Sequence, residues 1–494
     1  MKDFLANLKT DFSLKFFIFF LLFSAVMWVL IPTSYYEALH YDPAETLMWG
    51  STFNLGNAKH PPMAGYMLYH FCSFFGFQSF SVFLLSQIVV TIGFIYIYKL
   101  ARCFFERPAS VMATLLITFY FLYNYETPKF NANVPHILFV PMMCYYFYKG
   151  VTENKLYQWL LLAFSAACAF LTKYYAGVFF LSFLIYMFWD KNARKCFASY
   201  KPYLAGIFFF ALLSPHLYHL WNSDFMALNY IAEGKERQYG YFTQLGVVLV
   251  SILVPLICMS IPALASAKFQ KKEFTLKQLN VQNPEAAKYA GVLLAGQIGV
   301  LLLLCLTNQR VESMWTFQMF LPAGILIMSF YPEKPDLRTM KFFATLAICF
   351  AILVMLVDLI HSNFDSSYRR HIKMEELRRT AEEYYFEATG KKEIPFITGD
   401  VWHSSILQYS FKYQVPASPD HDRILLGIHD STIREKGAVI ITTAPLDSEK
   451  RIQERFGQKP EWTIRLIPYK ARFGKQKEHG VCFGIIKPSE PVKK

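Results

Sequence analysis

Long apolar runs, separated by short polar loops, recur along roughly the first 360 residues of the chain. Runs of this length are typical of helices that cross a membrane. They predict about eleven spans, at residues 14–31, 79–101, 109–123, 134–150, 156–172, 174–189, 202–221, 241–265, 289–306, 315–331 and 341–360. Several are shorter than the ~20 residues that a perpendicular helix needs, so tilt or continuation into the loops would complete them.

The pattern changes after His361. Residues 369–387 are highly charged with helical periodicity, and short β-like runs follow at 395–398, 424–428, 438–442 and 481–486, with helical segments near 402–411 and 447–457. Strands that alternate with helices predict a small α/β domain. The sequence therefore predicts a polytopic all-α membrane domain at 1–360 and a soluble α/β domain at 361–494.

Composition agrees with a membrane protein. Of 494 residues, 54% are hydrophobic and only 17% are charged, whereas a soluble protein carries roughly a quarter charged residues. The net charge of +13 does not indicate nucleic acid, because the chain has no aromatic-interleaved basic stripe and no zinc-finger spacing. Basic residues in a polytopic protein instead mark cytoplasmic loops.

The basic loops orient the chain. Most lysines and arginines of the short loops fall on one side of the predicted spans, which the positive-inside rule places in the cytoplasm together with the N-terminus. A cleaved signal peptide is disfavoured, because residues 32–36 follow the first apolar run without a small-residue cleavage site. With an odd number of spans, the domain after His361 lies on the outer side.

The first outer loop, residues 32–64, carries two groups of polar side chains. Asp42 and Glu45 are three residues apart at the start of an amphipathic stretch, so both can project from one helical face. Pro43 suits the first position of a helix, which would make Asp42 merely its N-cap. Lys59 and His60 precede Pro61 and Pro62, in either an ordinary turn or a binding site.

Other candidates lie in the later outer loops. Residues 125–133 hold several polar groups, among them Glu126, Asn131 and Asn133. Lys173, next to Tyr174, either extends to the membrane interface or binds an anion. His216 and His219 lie one helical turn apart, but zinc needs further ligands. Arg310 suits a phosphate, and it could equally pair with Glu312.

These segments resemble a known family. Residues 42–45, the aromatic stretch to Gly50, and residues 59–62 resemble the first outer loop of polytopic glycosyltransferases with the C-type fold that use a polyprenyl-phosphate sugar. The family includes protein mannosyltransferases, the aminoarabinose transferase acting on lipid A, and rhizobial galacturonosyltransferases of lipopolysaccharide. Segments 130–133, 171–174 and 214–217 are similar too, so the likeness covers roughly residues 14–330.

Two positions depart from the family pattern. Pro43 stands where the family usually has Glu, which leaves Asp42 as the matching acid and Glu45 as the second. In the second outer loop many relatives carry Asp where this chain offers Glu126 or Asn131. A mechanism with two carboxylates therefore does not transfer directly to this chain.

The resemblance implies an inverting transfer of a sugar from a polyprenyl-phosphate donor to a hydroxyl of lipid A, lipopolysaccharide or protein, at the outer face of a bacterial inner membrane. Asp42 would be the general base, and Glu45 would orient the acceptor or bind the sugar. The donor phosphate would meet Lys59, His60, Lys173 and Arg310, and the substrates would meet Glu126, Asn131, Asn133, Tyr174, His216 and His219.

The partners expected from the resemblance are the polyprenyl-phosphate sugar, a lipid or protein acceptor, and membrane lipids, but no nucleic acid. No cofactor is firmly implied: a divalent metal stays open, and no residue is assigned as a metal ligand.

Two other functions remain open from the residues alone. A transporter or flippase for a lipid-linked sugar would share the membrane region, but it would place polar groups near the bilayer midplane, and the apolar runs show no convincing charge there. An oligosaccharide ligase or polymerase follows similar chemistry and is harder to separate by sequence.

Overall fold

The computed structural model describes residues 11–232, 240–271, 273–275, 279–306, 313–365, 367–419 and 428–488. The chain folds into two compact units. The first comprises Met1–Trp28, Ser86–Pro128 and Ala132–Leu356, and the second comprises Val29–Leu85, Lys129–Asn131 and Val357–Lys494. The domain boundary at residue 360 follows chain order and stays a prediction.

Helices make up the described chain as far as residue 371. In chain order they are α1 (Phe12–Thr33), α2 (Tyr41–Gly50), α3 (Met63–Phe75), α4 (Ser79–Ala101), α5 (Arg107–Leu115), α6 (Leu122–Tyr125), α7 (Val134–Glu153), α8 (Leu156–Thr172), α9 (Ala176–Trp189), α10 (Lys191–Arg194), α11 (Lys201–Asn222), α12 (Met226–Ala232), α13 (Tyr241–Gln270), α14 (Pro284–Cys305), α15 (Ala323–Met328), α16 (Leu337–Phe364) and α17 (Tyr368–His371). Short 3-10 helices occupy Leu116–Phe119, Lys195–Ala198 and Ser313–Phe320.

Six helices of the described residues are long and apolar enough to cross a membrane, namely α1, α4, α11, α13, α14 and α16. Their exposed positions carry large apolar side chains such as Leu22, Ile207, Phe210, Ile257 and Leu353, as expected for surfaces that face lipid. Shorter apolar helices accompany them, among them α8 and α9. The chain is thus a multi-pass membrane protein, and the count of eleven spans stays a prediction.

Two of the predicted spans are not continuous α-helices. The span predicted at 109–123 consists of α5, a 3-10 helix, a two-residue break and the start of α6. The Asn124 side chain, in α6, donates a hydrogen bond to the Thr118 carbonyl across this break. The span predicted at 315–331 is a 3-10 helix followed by α15. Pro322, which has no N–H to donate, directly precedes α15.

The C-terminal residues form the predicted α/β domain. Its elements are α18 (Met374–Thr389), β1 (Ile397–Gly399), α19 (Val401–Ser410), α20 (Asp430–Lys436), β2 (Ala438–Thr442), α21 (Pro445–Phe456), β3 (Thr463–Tyr469) and β4 (Lys477–Ile486). The sheet has the order β1-β2-β4-β3, with β1 parallel to β2 and the other two pairs antiparallel.

Sequence patterns predicted most of this domain. The runs at 395–398, 438–442 and 481–486 match β1, β2 and the end of β4, whereas β3 was not predicted. Most of the run at 424–428 lies outside the described residues. The apolar core beneath the sheet includes Phe396, Ile440, Ile452, Phe456 and Ile486.

The turn after β1 leads into α19, the helix that packs on α2. Gly399 has a φ of +125°, and a Cβ there would lie 1.9 Å from the Ile441 carbonyl oxygen, so only glycine fits. Asp400 then caps α19 by accepting from the backbone N–H of His403 at 3.0 Å. α19 packs on α2 within the second unit, and the buried Trp402 indole donates to the Leu39 carbonyl at 3.3 Å.

Candidate active site

The candidate site is built around α2, which packs closely on α3. A Cβ added to Gly50 would lie 2.1 Å from the carbonyl oxygen of Gly65, so the two backbones touch where these glycines meet. From Pro43 to Gly50 every residue of α2 is buried. The helix is therefore fixed along its length, and only its first turn reaches solvent.

The N-terminus of α2 differs from the sequence-based interpretation by two residues. His40 is the N-cap and Tyr41 the first helical residue, so Asp42 is second and Pro43 third. Asp42 is therefore not the N-cap of this helix. Its negative charge still suits the first turn, where unpaired backbone N–H groups create a positive end.

Asp42 is half-buried, and its Oδ2 accepts a hydrogen bond from Nδ2 of the buried Asn131 at 3.0 Å. Asn131 is one of the two residues predicted to stand where relatives carry a second acid. A neutral amide thus holds one carboxylate oxygen of Asp42. The carboxylate keeps its second oxygen for another proton donor.

Glu45 has a different environment one turn further along α2. Its carboxylate is buried and forms an ion pair with Nζ of Lys59, which also lies 5.8 Å from the Tyr41 ring centroid. His60 packs edge-on against the Trp49 ring, with centroids 5.7 Å apart. The structure places Asp42, Glu45, Lys59 and His60 in one unit. The charge of Lys59 is partly neutralised by Glu45.

His40 is a residue that the sequence analysis missed. Burial, then the positive charges of Lys129, Arg370 and Arg369, lower its pKa to about 4 against an opposing effect of Asp42. The imidazole is therefore neutral at pH 7. Its Nδ1 is buried and makes no hydrogen bond with the described residues.

Two arginines after the last long apolar helix were also missed as site residues. The backbone carbonyl of Arg370 accepts from the N–H of Glu37 at 2.9 Å, and its guanidinium pairs with Asp365 at 3.3 Å. The exposed Arg369 guanidinium lies 5.5 Å from the Tyr41 ring centroid. An adjacent arginine pair directly after an apolar helix is the only sequence signal that marks them.

The first unit contains most of the other candidates. Nζ of Lys173 donates to Oδ1 of Asn133 at 2.7 Å, and the same oxygen accepts from the Gln318 amide at 2.7 Å. Lys173 is thus half-buried and hydrogen-bonded. This contact does not distinguish between its two predicted roles, extension to the membrane interface and binding of an anion.

Tyr174 and His216 form a second pair in this unit. The Tyr174 hydroxyl and the buried His216 Nε2 are 3.0 Å apart, and the His216 and His219 rings lie 6.5 Å apart. Glu126 is half-buried at the end of α6. Arg310 lies outside the described residues.

Protein metal sites need clustered histidine, cysteine, aspartate or glutamate side chains. Within the described ranges, no three histidine, cysteine, aspartate or glutamate residues are grouped closely enough to hold a metal ion. His216 and His219 therefore gain no third ligand there.

Comparison with known proteins gives the fold and a family match. A family model described as dolichyl-phosphate-mannose-protein mannosyltransferase matches residues 59–219. This segment runs from Lys59 to His219, so it includes most of the candidate residues but neither Asp42 nor Glu45. No curated protein sequence matches the chain.

Among solved structures, ArnT from Cupriavidus metallidurans matches both in its apo state and bound to undecaprenyl phosphate. Each match has a TM-score of 0.62 at 11% identity and covers 94% of this chain and 97% of ArnT. The archaeal oligosaccharyltransferase AglB from Archaeoglobus fulgidus, in complex with an inhibitory peptide and a dolichol-phosphate, matches with a TM-score of 0.46 at 11% identity over 96% of this chain and 74% of AglB.

The likeness to ArnT confirms the C-type fold that the first-loop motifs led us to expect, together with the appended C-terminal sheet domain. It is a likeness of fold, and the family model covers about a third of the chain.

Proposed function

We propose that the protein is an inverting glycosyltransferase that moves a sugar from a polyprenyl-phosphate donor to an acceptor hydroxyl on a lipid or a protein. The observation that carries this proposal is the half-buried Asp42 carboxylate, held by Asn131 at 3.0 Å in a chain with the fold of ArnT. A fold hosts many functions, so the site rather than the fold must supply the chemistry.

Asp42 would act as the general base. The acceptor hydroxyl gives its proton to Oδ1 of Asp42 as its oxygen attacks the anomeric carbon. The bond from that carbon to the phosphate oxygen breaks, and its electron pair leaves with the polyprenyl phosphate. Attack opposite the leaving group inverts the anomeric centre. Asn131 holds Oδ2 and so keeps Oδ1 aimed at the acceptor.

The remaining task is to stabilise the charge on the leaving phosphate. We assign this role to Lys59, His60, Lys173 and Arg310, through charge-assisted hydrogen bonds. Because Lys59 pairs with Glu45, the role of Glu45 that we favour is to orient this lysine. Asp42 alone would then accept the proton of the acceptor hydroxyl.

The other polar candidates would contact the sugar or the acceptor. They are Glu126, Asn133, Tyr174, His216 and His219. The hydrogen bond between Tyr174 and His216 supports this assignment, because it holds both rings in place before any substrate binds.

We place the reaction at the outer face of a bacterial inner membrane, with the N-terminus in the cytoplasm and the C-terminal domain in the periplasm. The distribution of basic loops supports this orientation. A donor carried by a membrane lipid would then meet Asp42 at the outer leaflet.

The proposal is tested by mass spectrometry of lipopolysaccharide and envelope glycoproteins from a strain that lacks the gene. We expect one glycoconjugate to lose a single sugar residue, and the wild-type gene to restore it. Complementation with the Asp42→Asn variant should not restore it. If the sugar is lost in the deletion strain but restored by Asp42→Asn, a transporter of the lipid-linked sugar explains the data and the proposal fails.

A further inference from the structure

Arg369 is an exposed arginine at the start of the C-terminal domain. Three aromatic rings surround its guanidinium. Cζ lies 5.5 Å from the Tyr41 ring centroid, 5.7 Å from that of Trp402 and 5.9 Å from that of Tyr368. Aromatic faces hold a guanidinium by cation–π attraction and leave its N–H edge free for a ligand.

Arg369 lacks an ion-pair partner within the part of the chain that the structure describes. Its neighbour differs: Arg370 is buried, pairs with Asp365 at 3.3 Å and donates to the Ser362 hydroxyl at 2.9 Å. Arg370 therefore has a structural role. Arg369 is framed by aromatic rings, and among the described residues no carboxylate pairs with it.

The aromatic frame around Arg369 is itself held in place. The Tyr368 ring stacks on His479 with centroids 3.6 Å apart and an interplanar angle of 14°. Nε2 of His479 lies 3.3 Å from Nε2 of His403, whose Nδ1 donates to Asp400 at 2.8 Å. This chain of contacts runs from the end of β1 to β4, so the sheet fixes the position of Tyr368.

Arg369 also lies near the first turn of α2. Its guanidinium contacts the ring of Tyr41, the residue directly before Asp42 in α2. Its charge acts on His40, as do those of Lys129 and Arg370. The charges of Arg369, Arg370 and Lys129 thus create a positive field at the first turn of α2.

We propose that Arg369 binds a phosphate group of a substrate at the first turn of α2. A phosphate matches the planar donor edge of a guanidinium bidentately, and the positive charges around this turn favour an anion there. Arg369 would then be a substrate-binding residue that the C-terminal domain contributes. The phosphate belongs either to the polyprenyl-phosphate donor or to a phosphorylated glycolipid acceptor.

Binding of phosphate is testable without turnover. Phenylglyoxal modifies accessible arginines, and tandem mass spectrometry of the full-length protein in detergent measures the modification of Arg369, with buried Arg370 as the unreactive internal reference. We expect undecaprenyl phosphate or lipid A to slow the modification of Arg369 at least fivefold, whereas undecaprenol should not.

The two phosphate ligands separate the two sources. Protection by undecaprenyl phosphate assigns the site to the donor, and protection by lipid A alone assigns it to the acceptor. Protection of Arg369 by neither ligand overturns the proposal. Equal protection by undecaprenol also overturns it, because the phosphate would then play no part.

The role in catalysis rests on the proposed function and has its own test. Arg369→Ala should raise the KM of the substrate that protects Arg369 at least tenfold and change kcat less than threefold. Arg369→Lys should fall between wild type and Arg369→Ala, because it keeps the charge but loses the planar fork. An unchanged KM in a folded Arg369→Ala protein contradicts the role.

Arg472→Ala is the matched control, since Arg472 is an exposed arginine of the same domain over a single ring, that of Phe473 at 5.7 Å. Its KM should equal that of wild type. If the protein transfers no sugar at all, the proposed function fails, but the phenylglyoxal result still decides whether Arg369 binds phosphate.

Discussion

Two carboxylates near the N-terminus of α2 are three residues apart, and their surroundings separate their roles. Asp42 is half-buried beside the neutral Asn131 amide, whereas Glu45 is buried against the Lys59 ammonium. A base must present a carboxylate to the substrate, and an ion-paired buried carboxylate is poorly placed to do so. The contacts therefore favour Asp42 as the base and Glu45 as support.

The first prediction concerns the Glu45–Lys59 pair. Lys59→Met removes the ion-pair partner of the buried Glu45 carboxylate, which should destabilise the protein by about 1–3 kcal/mol. The loss stays in this range because the Lys59 side chain is partly exposed and the pair is not fully desolvated. Adding Glu45→Gln should recover most of this stability, because no charge then stays buried. The unfolding midpoint in detergent measures both effects.

Lys373→Met serves as the control at an exposed lysine of the same unit, and its midpoint should not move. If Lys59→Met alone is as stable as wild type, the pair does not stabilise the site. A double variant no more stable than Lys59→Met would contradict the explanation by buried charge.

At the scale of single residues, sequence reasoning found what is local along the chain. The spacing of Asp42 and Glu45, and the amide of Asn131, were readable from the two loops and the resemblance. His40, Lys129 and Arg369 were not, because their importance arises from contacts between segments far apart in sequence. A lone histidine before a helix gives no signal of the charges around it.

At the scale of elements, α2 is held from two sides within its unit. α3 meets it at Gly50 and Gly65, and α19 packs on it with the Trp402 indole bonded to the Leu39 carbonyl. Because α2 is only ten residues long, its position depends on this packing rather than on its own helical stability.

The second prediction tests the contact of α2 with α3. Gly50→Ala places a methyl group against the Gly65 backbone, so the helices must separate. We expect a loss of about 1–3 kcal/mol and reduced transfer activity. Gly206→Ala is the control, because no atom lies within 4 Å of the added Cβ in α11, and it should be nearly neutral. A wild-type midpoint and activity for Gly50→Ala would contradict the close packing.

The third prediction concerns pH. Burial, with the nearby His403 and Arg369, lowers the pKa of His479 to about 4, so the folded protein resists protonation there while the unfolded chain protonates near pH 6.5. The unfolded state then binds more protons, and stability falls as the pH drops from about 6.5 towards 4.

His479→Gln removes this contribution. Between pH 7.5 and pH 5.0 the variant should lose about 1 kcal/mol less stability than wild type, after allowance for the partial exposure of the ring. Unfolding midpoints in detergent at the two pH values give the comparison. An equal loss in both proteins would show that His479 is not the group responsible.

Sequence patterns predicted elements best where the periodicity was strong. The long apolar helices and strand β2 agree closely with their predicted bounds, whereas α3 was not predicted as a separate element and β3 was missed. In β3, the apolar Ile464 and Leu466 are exposed, whereas the charged Arg465 between them is only half-exposed, so the usual pattern of polar exposed and apolar buried positions is absent. This segment forms a strand because it pairs with β4, a contact that its own sequence pattern does not show.

At the scale of the whole molecule, membrane character was predictable because lipid imposes a strong compositional rule. The C-type fold was expected from the resemblance of the loop motifs, and the likeness to ArnT confirms it. The division into compact units was not predictable, since the segment between α1 and α4 groups with residues from the far end of the chain. Such grouping depends on long-range packing that no local pattern records.

The fourth prediction tests the proposed orientation. A phosphatase reporter that folds only in the periplasm, fused after residue 488, should be active, and the same reporter fused in the loop between α9 and α11 should be inactive. Cytoplasmic fluorescence reporters at the same sites should give the opposite result. An inactive phosphatase at the C-terminal site would place the α/β domain in the cytoplasm and remove Asp42 from the outer face.

The central claim is that Asp42 is the base in sugar transfer from a polyprenyl-phosphate donor. The direct measurement uses purified protein in lipid vesicles with labelled polyprenyl-phosphate sugars and glycolipid or peptide acceptors. Wild type and an Asp447→Asn control, altered at an exposed acid of α21, should transfer the label. Asp42→Asn should lose about 10²–10⁴-fold in rate and still bind polyprenyl phosphate with wild-type affinity. Transfer by Asp42→Asn at the wild-type rate would contradict the account.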